Sequence, residues 1–218
     1  MPRFVFWDCD NTLLENAGHH WLKHKITLKR LGITLPEEQR KIFFQNNGQQ
    51  NWEWLKANMD FDMPCDSYLK EVDTWYHQHV HEIPLRPGIA WALDYFQQSG
   101  AKQCVVTNAR RASVEPMLST KDIARYFEFA LCKEDYTSRK PDPMPYLTAI
   151  DRMETISGNP IDKAQCLVIE DDPLGVTAAN RAGLKVIQRR YQREETPSPD
   201  ATISLYDEKD FIEALKKS

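Results

Sequence analysis

Hydrophobic residues form two kinds of pattern along the chain. The continuous apolar run 4–7 has the length of a short buried strand. Beyond Pro87-Gly88, similar apolar runs alternate with segments in which apolar residues recur at helical spacing. The further predicted strands cover residues 103–107, 127–132, 166–169 and 185–188. Because helices with short connections separate these strands, the pattern predicts an α/β fold, in which helices cover both faces of a parallel sheet.

Several boundaries in this part are marked by local sequence. Apolar residues at helical spacing predict a helix over residues 111–126. Asp142-Pro143 and Asp172-Pro173 each place a capping acid before a proline, which is a favourable start for a helix. Residues 193–200, rich in Glu, Pro and Ser, indicate a surface loop before a last helix.

Residues 16–83 show helical spacing throughout. The clearest repeat, in residues 66–82, places apolar side chains three and four positions apart, at Leu69, Val72, Tyr76 and Val80. Four of the six tryptophans also fall in this region: Trp21, Trp52, Trp54 and Trp75. Large aromatic side chains dominate burial, so they indicate a small all-helical subdomain with its own core. The expected domains are an α/β core of residues 1–15 and 84–218 and a helical insertion of residues 16–83.

Composition narrows the class of protein. The 218 residues are 41% hydrophobic and 28% charged, with a net charge of -4, which argues against a basic nucleic-acid-binding surface. No apolar run reaches membrane-spanning length, so we expect no membrane partner. The five cysteines are scattered, and Cys104, Cys132 and Cys166 lie in apolar runs as small buried residues. We therefore expect a cytoplasmic protein. The expected oligomeric state, which the cysteines do not determine, is a monomer or weak dimer.

Two carboxylates follow the first predicted strand. Asp8 and Asp10 are two residues apart, so their side chains should point to the same side of the strand, with Cys9 on the other side. Like charges this close are unfavourable unless a cation lies between them or one of them is protonated. The pair therefore predicts half of a metal-assisted phosphoryl-transfer site.

Two further segments offer groups that can bind the oxygens of a phosphate. Thr107-Asn108 ends the second predicted strand and supplies a hydroxyl, an amide and backbone N–H groups; the pair is also typical of a turn or a helix cap. Lys140 precedes Pro141, which favours an extended conformation for the lysine and so fixes the direction of its ammonium. In parallel sheets ligands bind at the carboxyl ends of strands, where these groups are expected.

Three acids end the fourth predicted strand of the core. Asp172 has a structural role as the cap of the next helix. Glu170 and Asp171 have no helix of their own to cap, and metal ligation accounts for them better.

Four motifs together resemble those of the haloacid dehalogenase superfamily of phosphohydrolases. They are D-C-D-N-T-L-L at 8–14, T-N at 107–108, K-P-D-P at 140–143, and E-D-D-P-L-G-V-T-A-A-N-R-A-G at 170–183. The helical insertion after the first motif is similar to the cap of the phosphoglycolate-phosphatase and β-phosphoglucomutase relatives. The resemblance implies a Rossmann-like parallel sheet with a small helical cap.

The resemblance also implies a role for each motif residue. Asp8 would be the nucleophile that forms an aspartyl-phosphate, and Asp10 would protonate the leaving alcohol and then deprotonate the attacking water. The implied Mg²⁺ ligands are Asp8, the carbonyl of Asp10, and Asp171, with Glu170 as a further ligand or a close neighbour. The implied phosphate-binding residues are Thr107, Asn108 and Lys140.

Two positions depart from the pattern of many relatives. Asn11 stands where glycine is common, but asparagine also tolerates left-handed backbone, so a tight turn is still expected. Asp172 stands where serine is common and is expected to act as the helix cap rather than to tune the metal. Relatives that cleave carbon–halogen bonds lack the second aspartate, so Asp10 argues against dehalogenation.

A polar, uncharged segment in the cap matches the substrate-reading loop of such relatives. Its candidate specificity residues are Gln45, Asn46, Asn47, Gly48 and Trp52. Amides suit hydroxyl-rich leaving groups such as sugars, although the segment is equally typical of a solvated loop between helices.

The sequence thus predicts a Mg²⁺-dependent phosphatase that hydrolyses a small phosphorylated metabolite. A phosphomutase of the β-phosphoglucomutase type is the first alternative, and a non-catalytic phosphate-binding module is the second.

Overall fold

The computed structural model describes the backbone of residues 1–218 and every side chain apart from that of Gln45. The chain forms two compact units. One consists of Met1–Glu15 and Leu85–Ser218, and the other is Asn16–Pro84.

The larger unit is built around a parallel sheet of six strands. The strands are β1 (Phe4–Trp7), β2 (Lys102–Val106), β3 (Phe127–Leu131), β4 (Cys166–Glu170), β5 (Lys185–Arg189) and β6 (Ile203–Leu205). Their order across the sheet is β3-β2-β1-β4-β5-β6. The helices of this unit are α5 (Ile89–Gln98), α6 (Arg111–Thr120), α7 (Met144–Ser157), α8 (Pro173–Arg181) and α9 (Glu208–Lys217).

Helices cover both faces of the sheet because the strands are apolar on both sides. All four residues of β1 are buried. Phe6 lies in a core cluster with Tyr146 and Met153 of α7, whereas Trp7, on the opposite face, packs its ring against Phe96 of α5. The predicted α/β fold class is therefore confirmed.

The strand register brings three strand ends together. Phe4 of β1 pairs with Lys102 of β2 on one side and with Cys166 of β4 on the other. The carboxyl ends of these three strands therefore lie side by side at one edge of the sheet. The residues that follow them are positioned by this register.

The predicted elements differ from the structure in two places. The helix predicted over 111–126 is wrong in its last six residues, because α6 ends at Thr120 and Asp122 adopts a positive φ of 54°. Residues 124–126 form only a single 3₁₀ turn. The strand β6 was not predicted, since three residues with polar neighbours carry little periodicity.

The smaller unit is all-helical. It contains α1 (Ala17–Arg30), α2 (Arg40–Gln45), α3 (Gly48–Asn58) and α4 (Cys65–His79). Trp21 and Trp75 are buried, and Trp52 and Trp54 pack against the core of this unit. Three of the four tryptophans, Trp21, Trp52 and Trp54, thus contribute to the core of this helical unit, as predicted, whereas Trp75 is buried outside that cluster. No described helix combines the length and apolar character needed to cross a bilayer.

The chain leaves the larger unit and returns to it at one point. Leu14 and Leu85, at the two connections, form an antiparallel bridge. The buried guanidinium of Arg86 then donates to the carbonyl of Asn11 at 2.6 Å and to that of Arg189 at 2.8 Å. The bridge and these hydrogen bonds therefore fix both connections to the loop after β1 and to the end of β5.

A buried histidine makes the stability of the helical unit dependent on pH. His24 shares a hydrogen bond of 2.6 Å between its Nδ1 and the hydroxyl of Tyr68. Burial, together with Lys23 and His20, lowers the pKa of His24 well below its usual value. The folded state therefore keeps the imidazole neutral at a pH where the unfolded chain protonates it.

We expect the stability associated with His24 to be fully present above about pH 6.5, the pKa of an unfolded histidine. Below that pH the unfolded state binds more protons, so the free energy of unfolding should fall by up to about 1.4 kcal/mol per pH unit until the folded-state pKa is reached. Urea unfolding at several pH values, compared with His24→Gln, measures this. An unchanged slope in the variant would contradict the assignment to His24.

Candidate active site

Asp8 is placed at the point where the central strand ends. Its backbone N–H donates to the carbonyl of Ile169 at 3.0 Å, which continues the pairing of β1 with β4 by one residue. The chain then turns sharply, because Asn11 has a φ of 55° and Leu13 donates its N–H back to Cys9 at 3.0 Å. The tight turn predicted for Asn11 is confirmed. Asp10, on this turn, is partly buried.

Lys140 binds the end of the central strand through a buried ammonium. Its Nζ donates to Asp8 Oδ1 at 2.8 Å, to the carbonyl of Val106 at 2.7 Å and to Glu170 Oε1 at 2.5 Å. An ammonium has three N–H donors, so all of them are used. Burial disfavours the charged ammonium, but Asp8 and Glu170 outweigh burial and raise the pKa of Lys140 well above its usual value.

The side chain of Asn108 holds the backbone of Lys140. Its Oδ1 accepts from the N–H of Lys140 at 3.1 Å, and its Nδ2 donates to the carbonyl of Lys140 at 3.3 Å. The hydroxyl oxygen of Thr107, which is buried, accepts from the N–H of Ala109 at 3.1 Å. Asn108 thus joins Lys140 to the end of β2, where Thr107 directly precedes it.

Three carboxylates form a cluster at the same edge. Asp8, Glu170 and Asp171 each offer an oxygen, and these oxygens lie within 4.8 Å of one another. Thr12 orients Asp171 by donating its hydroxyl to Oδ1 at 2.8 Å.

Burial and mutual repulsion disfavour the charged forms of these acids. Burial raises the pKa of Asp8 well above its usual value, and Glu170 raises it further against the opposing effect of Lys140. The pKa values of Glu170 and Asp171 are also raised, first by burial.

The donor set fits Mg²⁺. Three carboxylates share one ammonium, so the cluster carries an excess of negative charge that a divalent cation would neutralise. Mg²⁺ prefers hard oxygen ligands and usually binds through one or two carboxylates and several waters. Asp8, Asp171 and Glu170 could supply these oxygens, and the carbonyl of Asp10 lies on the loop that follows Asp8.

Two residues of the site were missed by the sequence reasoning. Tyr146, fully buried, donates its hydroxyl to Glu170 Oε1 at 2.8 Å. At Gly175 a Cβ atom would lie 1.7 Å from Glu170 Oε1, so only glycine leaves room for the Glu170 carboxylate. Gly175 lies in the fourth motif and could have been identified from it, whereas no motif or spacing in the sequence indicates a role for Tyr146.

The profile of the family described as haloacid dehalogenase-like hydrolase matches residues 5–188. The chain belongs to this family. The resemblance inferred from the four motifs is confirmed, and so is the expectation that the chain is a hydrolase-family enzyme. The matched range includes every core residue predicted for the site.

Relatives named as haloacid dehalogenase-like hydrolase or phosphatase align with most of the chain. A haloacid dehalogenase-like hydrolase domain-containing protein from Arabidopsis thaliana is 26% identical over 84% of this chain, which spans 66% of that relative's length. Phosphoglycolate phosphatase from Escherichia coli strain K12 is 26% identical over 87% of this chain and 81% of that protein. The expectation of a phosphatase agrees with these names.

Solved structures of other proteins share the fold of this chain. CbbY from Rhodobacter sphaeroides, solved in complex with phosphate, has a TM-score of 0.80 at 22% identity and covers 94% of both chains. A putative beta-phosphoglucomutase from Thermotoga maritima has a TM-score of 0.86 at 18% identity and covers 99% of both chains. At these identities the similarity shows the fold.

Asp172, the position that departs from many haloacid dehalogenase relatives, caps a helix. Its exposed carboxylate accepts from the N–H of Leu174 at 2.9 Å at the start of α8. Asparagine and aspartate are favourable in this position because they satisfy an N–H of the first turn. The predicted capping role is confirmed.

The candidate specificity residues belong to the helical unit, and two of them have structural contacts. Asn47 caps α3 through a reciprocal pair of hydrogen bonds with Gln50. Trp52 donates its indole N–H to the carbonyl of Met63 at 2.8 Å. Gly48 begins α3 and Asn46 is partly buried, whereas the side chain of Gln45 lies outside the described residues. Substrate recognition by these residues stays a prediction.

Proposed function

We propose that the protein is a Mg²⁺-dependent phosphatase that hydrolyses a small phosphorylated metabolite through an aspartyl-phosphate intermediate. The observation that carries the proposal is the convergence of Asp8, Lys140 and Asp171 at one edge of the sheet, within a carboxylate cluster suited to Mg²⁺. Phosphatase-named relatives and a phosphate complex among similar folds support it.

Asp8 is the nucleophile of the proposed reaction. One of its carboxylate oxygens forms a bond to phosphorus while the bond between phosphorus and the leaving-group oxygen breaks. Asp10 gives its proton to that oxygen, and the alcohol leaves. Water then attacks phosphorus and passes a proton to Asp10, while the bond between phosphorus and the Asp8 oxygen breaks. This step releases phosphate and restores the Asp8 carboxylate.

The surrounding residues stabilise charge on the transferring group. Lys140, already bound to Asp8, places a fixed positive charge beside the nucleophile, and Thr107 and Asn108 bind the phosphoryl oxygens. Asp8, the Asp10 carbonyl and Asp171, with Glu170 as ligand or neighbour, would hold Mg²⁺, which would supply further positive charge to these oxygens.

The proposal also covers the substrate class, the oligomeric state and the cellular location of the protein. The substrate is a small soluble phosphate ester, and the protein acts as a monomer or weak dimer in the cytoplasm. Free thiols at all five cysteines, four of them buried, support a reducing compartment.

The proposal predicts that p-nitrophenyl phosphate and at least one of a panel of phosphorylated metabolites are hydrolysed with Mg²⁺ and not after its removal with EDTA. Phosphate release should fall by at least about 10³-fold without the metal, because the carboxylate cluster then repels the phosphate. Full activity in EDTA would contradict the assigned role of the cluster.

A phosphomutase is the second candidate, favoured by the similarity in fold to the Thermotoga protein. A mutase would require a bisphosphate activator and would return the phosphoryl group to its product. The same panel separates the two, because a mutase converts a sugar phosphate to its isomer with little release of inorganic phosphate. If the protein binds phosphate but neither hydrolyses nor isomerises any compound of the panel, the result would support a non-catalytic phosphate-binding module.

A further inference from the structure

The carboxylate of Glu170 is held from three directions. Its Oε1 accepts from Lys140 Nζ at 2.5 Å and from the hydroxyl of Tyr146 at 2.8 Å. Its Oε2 accepts from the N–H of Asp171 at 3.1 Å. Glu170 is buried, so water offers no replacement for a lost donor.

Tyr146 contacts both members of the buried ion pair. Its hydroxyl binds Glu170, and its ring centroid lies 5.0 Å from Lys140 Nζ. Tyr146 lies in the first turn of α7 and belongs to the main core cluster of the larger unit. A side chain packed in this way has little freedom, so its hydroxyl is a fixed donor.

Glu170 is the adjustable acceptor of the Lys140 ammonium. The carbonyl of Val106 is fixed by the backbone of β2, whereas the other two acceptors are the side-chain carboxylates of Asp8 and Glu170. The Glu170 side chain has one more rotatable bond than that of Asp8, and its direction depends on the donors around it. A shift of its carboxylate would move the ammonium relative to Asp8.

We propose that Tyr146 is a positioning residue for the proposed phosphatase reaction, and that it fixes Lys140 against Asp8 by holding Glu170. The inference rests on the proposed function only for its kinetic consequence. Misplacement of a reacting group by about 1 Å can reduce a rate by about 100-fold.

The test is Tyr146→Phe, which keeps the ring and removes the hydroxyl. With p-nitrophenyl phosphate and Mg²⁺, kcat per active site should fall between about 10-fold and 100-fold while KM changes by less than about threefold. Active sites are titrated with beryllofluoride, so any unfolded fraction does not enter kcat.

Tyr68→Phe is the matched control, because it removes another hydroxyl of a fully buried tyrosine, in the core of the helical unit. Its kcat should stay within about twofold of the wild type. An equal loss of kcat in both variants would overturn the inference, since it would reflect a general effect of losing a buried hydroxyl.

A double-mutant cycle tests whether Tyr146 acts through Glu170. In a Glu170→Ala background, which removes the oxygen that accepts from the Tyr146 hydroxyl, Tyr146→Phe should change kcat by less than about twofold. If the two substitutions instead multiply their separate losses, Tyr146 acts by another route and the inference fails.

A spectroscopic readout separates this inference from the proposed function. A buried ammonium with three acceptors should exchange its protons slowly and give a ¹H–¹⁵N signal, which Lys140→Met assigns by its loss. The signal should shift or broaden in Tyr146→Phe whether or not the protein hydrolyses phosphate. An unchanged signal would overturn the inference, whereas absence of hydrolysis by the wild type would overturn the proposed function alone.

Discussion

Asp8→Asn is expected to lower kcat for phosphate-ester hydrolysis by at least about 10⁴-fold, because an amide oxygen cannot replace the carboxylate nucleophile. The fold should persist, since asparagine has the same shape and its oxygen can still accept from Lys140. Burial and Glu170 already raise the pKa of Asp8, so a neutral side chain is tolerated there. Steady-state kinetics and thermal unfolding of the purified variant measure the two effects.

Asp172→Asn is the control for that experiment. It makes the same chemical change at an exposed acid of the fourth motif, where asparagine can also cap α8. Its kcat should remain within about twofold of the wild type. A residual activity above about 1% in Asp8→Asn, with Asp172→Asn unchanged, would contradict the covalent mechanism.

Gly175→Ala is expected to damage both folding and catalysis. The added Cβ would lie 1.7 Å from Glu170 Oε1 and 2.1 Å from its Cδ, so the buried carboxylate must move and its contact with Lys140 must change. Overpacking and disruption of a buried ion pair together should lower the free energy of unfolding by about 3 kcal/mol. The value of kcat should fall by at least about 100-fold. Urea unfolding and kinetics measure these changes.

Gly18→Ala is the matched control. Gly18 lies in α1, and apart from its chain neighbours and the backbone of its own helix, no heavy atom lies within 4 Å of a Cβ added there. Alanine is the better helix former, so the variant should be as stable as the wild type or more stable by up to about 1 kcal/mol. If Gly175→Ala behaves like Gly18→Ala, the Glu170 carboxylate does not occupy the space beside α8.

Five of the six strands and the motif residues could be predicted because their signals are local. The apolar run of β1, the acids after it and the cap at Asp172 each depend on a few adjacent residues. The turn at Asn11 was predictable for the same reason, because asparagine is one of the few residue types that tolerate its backbone conformation.

The contacts of Glu170 could not be predicted because they depend on three segments that meet only in the folded chain. Tyr146 reaches Glu170 through the packing of α7 on the sheet, and no spacing in the sequence encodes that contact. A glycine inside a helix, as at Gly175, looks unfavourable until the neighbouring carboxylate is seen. The end of α6 was missed because its apolar spacing continues beyond Thr120, where the helix stops.

The bridge between Leu14 and Leu85 has an evolutionary consequence. The residues between them form a long insertion whose two ends are already adjacent, so a change in the length of the insertion adds little to the entropy cost of closing this loop. Such an insertion can lengthen, shorten or be exchanged as a unit without altering the register of β1 with β2 and β4. Related chains can therefore keep the same arrangement of strand ends while the helical unit between the two leucines varies.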